Sequence, residues 1–145
     1  MIGLLQRVTR ARVEAEQQTI AAIGTGLSVL VGVEKSDDEK KADRLLQRLL
    51  GYRVFPDRDR KMNLSLTDIH GELLLIPQFT LPADTARGMR PSFSAAAPPE
   101  QGRRLFEYLL ARAGELHPRT AAGRFGADMQ VTLTNDGPVT FWLQV

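Results

Sequence analysis

Only two stretches of this chain place apolar residues at helical spacing. Ala42, Leu45, Leu46, Leu49 and Leu50 fall at i, i+3, i+4, i+7 and i+8, and Leu105, Phe106, Leu109, Leu110 and Ala113 form a second such stripe. Nearly everything else alternates in twos or runs in short apolar blocks, the marks of strands. Two helices about 60 residues apart among many strands restrict the architecture. They point to an α+β fold: a mostly antiparallel sheet or partial β-barrel with two amphipathic helices packed on it. With 145 residues and no linker, repeat or low-complexity tract, the chain reads as a single domain over residues 1–145.

Residues 2–9 are rich in Leu, Val and Thr, and Ala11, Val13 and Ala15 alternate with Arg12, Glu14 and Glu16. Glu16 to Thr19 can turn, and residues 19–23 can return as a partner strand. Leu27 to Val33 is almost wholly apolar and predicts a strand buried on both faces. Ser36-Asp37-Asp38-Glu39 has the form of a capping box for the first helix, with Gly51 as its stop. Residues 52–55 and 62–66 read as short strands around a charged turn, and Leu73 to Ile76 as another buried strand. Pro98 and Pro99 open the second helix. Residues 117–126 look like a loop. Residues 129–134 and 139–145 alternate on either side of Asn135-Asp136-Gly137-Pro138, which suits a tight hairpin connection.

The residue inventory removes most catalytic schemes. There are no cysteines, hence no disulfide, thiolate metal site or cysteine nucleophile. His70 and His117 stand in no metal-ligand pattern and read as surface residues, so neither a metal nor a cofactor is expected. No glycine-rich phosphate loop follows a strand and no nucleophile elbow is present. No apolar run approaches the roughly 20 residues that span a membrane. The N-terminal order lacks a signal-peptide pattern. A cytoplasmic protein with no membrane association is expected. Net charge is +2, and arginine supplies 15 of the 19 basic residues. That composition is compatible with an RNA partner without requiring one.

Two stretches stand out. Leu73 to Ile76 ends at Pro77, which removes a backbone donor. It is followed by Gln78, Phe79, Thr80 and a loop carrying Arg87, Gly88 and Arg90. An apolar strand that breaks into mixed polar groups and then a basic loop has the form of a ligand site at a strand end, and equally that of an ordinary surface loop. Thr80 has a hydroxyl, but the sequence shows no base to activate it. The second stretch is Asn135 to Pro138.

Together these stretches resemble the D-aminoacyl-tRNA deacylase family. The first family motif, Ser-Gln-Phe-Thr-Leu, stands here as Pro77-Gln78-Phe79-Thr80-Leu81 and continues through Ala83-Asp84-Thr85 to Arg87-Gly88-Met89-Arg90-Pro91-Ser92-Phe93. The second, Asn-x-Gly-Pro-x-Thr, stands as Asn135 to Thr140. The likeness extends to Gln6-Arg7-Val8-Thr9-Arg10-Ala11, Leu50 to Phe55, and Gly123-Arg124-Phe125 with Ala127 to Val131. It implies a metal-free homodimer that hydrolyses the ester of D-aminoacyl-tRNA, and of glycyl-tRNA. Gly137-Pro138, cis in the family, would enter the partner's site and reject L-amino acids. Catalysis would use the 2′-hydroxyl of the substrate ribose, assisted by backbone amides near Gln78 and Phe79. Phe125 and Met129 would hold the adenine. Arg7, Arg87 and Arg90 are candidate contacts to tRNA phosphates. Thr80 as a protein nucleophile, or a silent RNA-binding module, are the alternatives. Pro77 departs from the usual serine. A related animal enzyme with looser chirality has Pro-Gln-Ala-Thr-Leu there, but this chain keeps Phe79 and Asn135 to Pro138.

Overall fold

The computed structural model describes all of residues 1–145. Strand β1 (Ile2–Ala15) is the spine. Its first half pairs antiparallel with β3 (Gly26–Gly32), its second half with β2 (Gln18–Ile23), and its length with β8 (Gln130–Gln144). One strand can serve three partners because it is 14 residues long and shifts register between Val13 and Glu14 on β2. The β1–β2 turn is made by Glu16 and Gln17, both at positive φ. Strands β6 (Glu72–Pro77) and β7 (Thr120–Ala122) extend the sheet beyond β3 in parallel. β2 packs back against β6 and β7, so the sheet is nearly closed. A two-stranded hairpin, β4 (Phe55–Pro56) with β5 (Met62–Leu64), stands apart.

Helices α1 (Glu39–Gly51) and α2 (Pro99–Leu116) pack on each other and on one face of this sheet. The alternation of β3 explains the two cores. Leu27, Val29, Val31 and Val33 face the helices, whereas a smaller cluster around Val8, Leu74 and Ile76 fills the opposite side of the curved sheet. Both stripes anticipated in the helices are buried except at their Leu50 and Leu110 positions, which are half-buried against the core. No helix is long and apolar enough to cross a membrane.

Several local expectations change. The N-cap of α1 is Asp38, whose carboxylate accepts from the Lys41 amide at 2.9 Å, not Ser36. Asp37 is instead buried and accepts from the Met1 ammonium at 2.7 Å and the Glu34 amide at 2.7 Å. That long-range demand displaces the cap by two residues. Gly51 is the last residue of α1, followed by an extended Tyr52, so no left-handed stop forms. β7 lies within the stretch expected to be a loop, because β6 supplies a ladder too short to show in periodicity. His117 is buried, not exposed, with Nε2 2.9 Å from the Gly71 carbonyl. Residues 130–144 form one strand, and Asn135 to Pro138 lie inside it, not at a hairpin.

Candidate active site

The first group of site residues hangs from the end of β6. Main-chain donors of β6 alternate in direction: Glu72 donates to Thr25 on the β3 side and Leu73 to Arg119 on the β7 side. Pro77 falls on the β7 phase. It ends that ladder where Gly123, whose amide still donates to Leu75 at 2.9 Å, leaves β7. Gln78 keeps the β3 side, donating to the Val31 carbonyl at 2.8 Å. The chain then folds into consecutive turns closed by Leu81 to Gln78 and Ala83 to Thr80. The Gln78 amide is thus consumed by the sheet. The amides of Phe79 and Thr80 donate to no protein group. Two adjacent unengaged amides at an exposed turn can receive an oxyanion.

Thr80 Oγ1 is 2.5 Å from Gln78 Nε2. A carboxamide is neither an acid nor a base near neutral pH, so it cannot take the hydroxyl proton. The turn rests on Gly32. A Cβ there would lie 2.8 Å from Leu81 Cβ and 3.0 Å from Pro82 Cδ. Gly32 is a supporting residue that sequence reasoning missed, although a glycine in an otherwise apolar strand is a sign of close backbone approach.

Beyond the turn, Asp84 and Ser92 exchange both backbone hydrogen bonds, at 2.8 and 2.9 Å, and close a loop. Arg87, Met89 and Arg90 occupy its exposed tip, where both arginines are free of ion pairs. The Phe79 ring is exposed and 5.5 Å from that of Phe93. Met129 is brought to this end of β6: a Cβ on Gly123 would meet Met129 Sδ at 2.9 Å and Pro77 Cδ at 3.4 Å. Phe125 sits farther back, its ring packed against Phe106 of α2 with the Arg103 guanidinium 5.0 Å above it.

The second group is a bulge in β8. Gln6 pairs with Thr140 and Val8 with Asn135, leaving Asp136 to Val139 opposite Arg7 alone. Asn135 closes the bulge, accepting from the Val139 amide and donating to the Thr140 hydroxyl, each at 2.8 Å. Those two contacts account for the Asn and Thr of the sequence motif. Gly137 and Pro138 are exposed at the crest, joined by a cis peptide bond. Gly137 has φ of 130°, open to glycine and strained for other residues.

Arg7 requires a correction. It is 9% exposed, and its guanidinium donates to the Asp136 carbonyl at 3.0 Å and the Val54 carbonyl at 2.6 Å. No phosphate reaches a cation so enclosed. Arg7 holds the bulge instead.

One chain does not join the two groups. The bulge is three strands from β6 across the sheet and four residues down β1 from the Val31 level. At strand spacings of about 4.8 Å and about 3.4 Å per residue, the gap is roughly 20 Å.

A near-closed mixed sheet backed by two helices, with an exposed pair of unengaged backbone amides at the end of β6, defines a small single-domain α+β protein. The D-Tyr-tRNA(Tyr) deacylase family model matches residues 4–144. The D-aminoacyl-tRNA deacylase of Stutzerimonas stutzeri is 62% identical over 144 residues, covering 99% of each chain. Those of Nitrosococcus oceani and Cronobacter sakazakii are 61% and 57% identical over 145 residues, covering this whole chain and 94% and 100% of theirs. A solved structure described as a c-Myc DNA unwinding element binding protein superposes with a TM-score of 0.95 at 36% identity, over 100% of this chain and 99% of that one. A probable eukaryotic D-amino acid tRNA deacylase superposes at 0.87 with 14% identity, over 99% and 98%, a likeness of fold. The chain belongs to the D-Tyr-tRNA(Tyr) deacylase family, and is a hydrolase of the deacylase type.

Proposed function

We propose that this protein hydrolyses the ester between a D-amino acid and the terminal adenosine of tRNA, and that glycyl-tRNA is a second substrate. It acts in the cytoplasm as a homodimer in which each site combines the 78–80 turn of one chain with Gly137-Pro138 of the other. The observation that carries this reading is the pair of unengaged amides on Phe79 and Thr80. They suit the oxyanion of an ester hydrolysis, and the roughly 20 Å gap to the bulge calls for a second chain to complete the site.

Water attacks the ester carbonyl, the oxyanion is received by the Phe79 and Thr80 amides, and the ribose 3′-oxygen departs as a hydroxyl. The 2′-hydroxyl beside it assists the water, since the carboxamide partner of Thr80 offers no base. Phe125 and Met129 hold the adenine, and Arg87 and Arg90 meet phosphates. The Gly137 and Pro138 main chain occupies the space an L side chain would need. A D side chain points away from it, and glycine has none to exclude.

The test is ester loss from tyrosine esters of both hands and from glycyl-tRNA. Discharge of the D-tyrosyl and glycyl esters, with the L-tyrosyl ester retained, is the expected outcome. Retention of all three would leave only RNA binding.

A further inference from the structure

We propose that the solvent face of α1 is a track for the phosphodiester backbone of the substrate RNA, with Lys40 and Arg44 as its phosphate-contacting cations. This rests on the tRNA-ester reading above and adds a second contact surface, outside the reaction pocket.

The charges of α1 are sorted by side. Its acidic residues turn toward α2 and are engaged there. Glu39 pairs with Arg104, and Asp43 accepts from Tyr108 Oη at 3.1 Å and Arg112 Nε at 3.4 Å. Its cations lie on the other side. Lys41 is held by Asp37 at 3.0 Å, and Arg48 by the Gln144 carbonyl at 3.2 Å and the Tyr52 ring. Lys40 has no polar partner, and Arg44 donates only to Gln47, at 2.6 Å. Both are exposed. Two unneutralised cations one helical turn apart, with Arg48 continuing the row, recur every ~6 Å along the axis. A row suits a polyanion, whereas a single small anion is better met by converging groups.

The surroundings agree. Two open grooves of about 490 and 750 Å³ flank the row, and Lys40 and Arg44 line both. The acids at their edges are already engaged, Asp38 by the Lys41 amide and Asp43 by α2. Arg48 is tied to Gln144, six residues along β8 from Pro138, about 20 Å at ~3.4 Å per residue. A few base pairs of an RNA helix bridge that distance. The row would therefore touch the RNA body and not the ester.

The experiment uses Lys40→Ala/Arg44→Ala, both at exposed positions. Filter binding to deacylated tRNA and kcat/KM on D-Tyr-tRNA are measured over a range of salt, beside kcat/KM on D-tyrosyl-adenosine, which lacks the RNA body. Expected are roughly tenfold weaker tRNA binding, a matching rise in KM with kcat retained, and a salt slope shallower by about 1–2. The rate on D-tyrosyl-adenosine stays unchanged. Arg58→Ala/Lys61→Ala, an equal charge loss on the β4–β5 turn, should behave as wild type. Unchanged tRNA affinity and salt slope would overturn the proposal, as would an equal loss in that control or on D-tyrosyl-adenosine. If the wild type discharges neither ester, the activity reading fails, and the filter-binding comparison alone still decides whether α1 holds RNA.

Discussion

Arg7 Nε meets Asp136 twice, at the main-chain oxygen (3.0 Å) and at carboxylate Oδ2 (3.1 Å), while Nη1 of the same guanidinium holds the Val54 carbonyl at 2.6 Å. One planar group thereby fixes the β8 bulge to the segment leading into β4. The exposed Gly137-Pro138 crest takes its position from a buried arginine beneath it.

Arg7→Ala therefore removes a shared anchor and leaves three acceptors without it. Loss of charge-assisted hydrogen bonds of this kind costs about 2–3 kcal/mol. Chemical denaturation should report that loss. The ratio of D-tyrosyl to L-tyrosyl ester hydrolysis should fall as well, because the crest is no longer held. A stable variant with undiminished discrimination would detach Arg7 from selectivity. Arg7→Lys should rescue only partly, since an ammonium cannot reproduce the fork.

Gly32→Ala tests the support under the 78–82 turn. The added carbon would sit 2.8 Å from Leu81 Cβ, so the 78–82 turn must lift. Displacing an oxyanion donor typically lowers kcat by about 10²–10³. We expect a loss of at least tenfold in kcat with KM little changed. Wild-type kcat would mean that the turn does not carry the chemistry.

Thr80→Ala should retain activity within about threefold, since its hydroxyl is paired with a carboxamide and lacks a base. A D-aminoacyl ester on a 2′-deoxy terminal ribose should be hydrolysed far more slowly than the ribose substrate. A dead Thr80→Ala protein of normal stability would instead make Thr80 the nucleophile.

Much of this was legible in the sequence because period and burial coincide. Ala42, Leu45, Leu46 and Leu49 all face the core, and both short motifs mark real interruptions of strands. What escaped was non-local. Asp37 reads as part of a capping box until the Met1 ammonium claims it. Arg7 sits in a strand like any solvated cation until the bulge closes over it. β7 is three residues held by β6, and His117 is buried by a contact to Gly71, 46 residues away. The composition of Asn135 to Pro138 suits a tight hairpin but serves a bulge, because β1 continues to pair on both sides of it.

Acid stability should show the contribution of Glu72. Its carboxylate accepts from Arg119 Nη2 at 2.8 Å and from the Gly24 amide, and these contacts hold its pKa below the usual glutamate value. A depressed folded pKa gives stability that is full above the unfolded value and is lost as pH falls through the folded one. Glu72→Gln should thus be less stable than wild type at neutral pH, and the gap should close in acid. A gap independent of pH would assign the loss to packing instead of charge.

The most direct measurement is complementation between two disabled chains. Gly32→Val spoils the turn and Arg7→Ala spoils the bulge, and the two chains are co-expressed with different tags and purified as a mixed pair. If each site draws its turn from one chain and its Gly137-Pro138 from the other, one of the two sites in the mixed pair has both parts intact. That site should hydrolyse D-Tyr-tRNA at about half the wild-type rate per pair, since the site with the spoiled turn is silent and sites act independently. It should also retain the L-tyrosyl ester as the wild type does. A mixed pair as unselective as the Arg7→Ala protein would contradict the shared site.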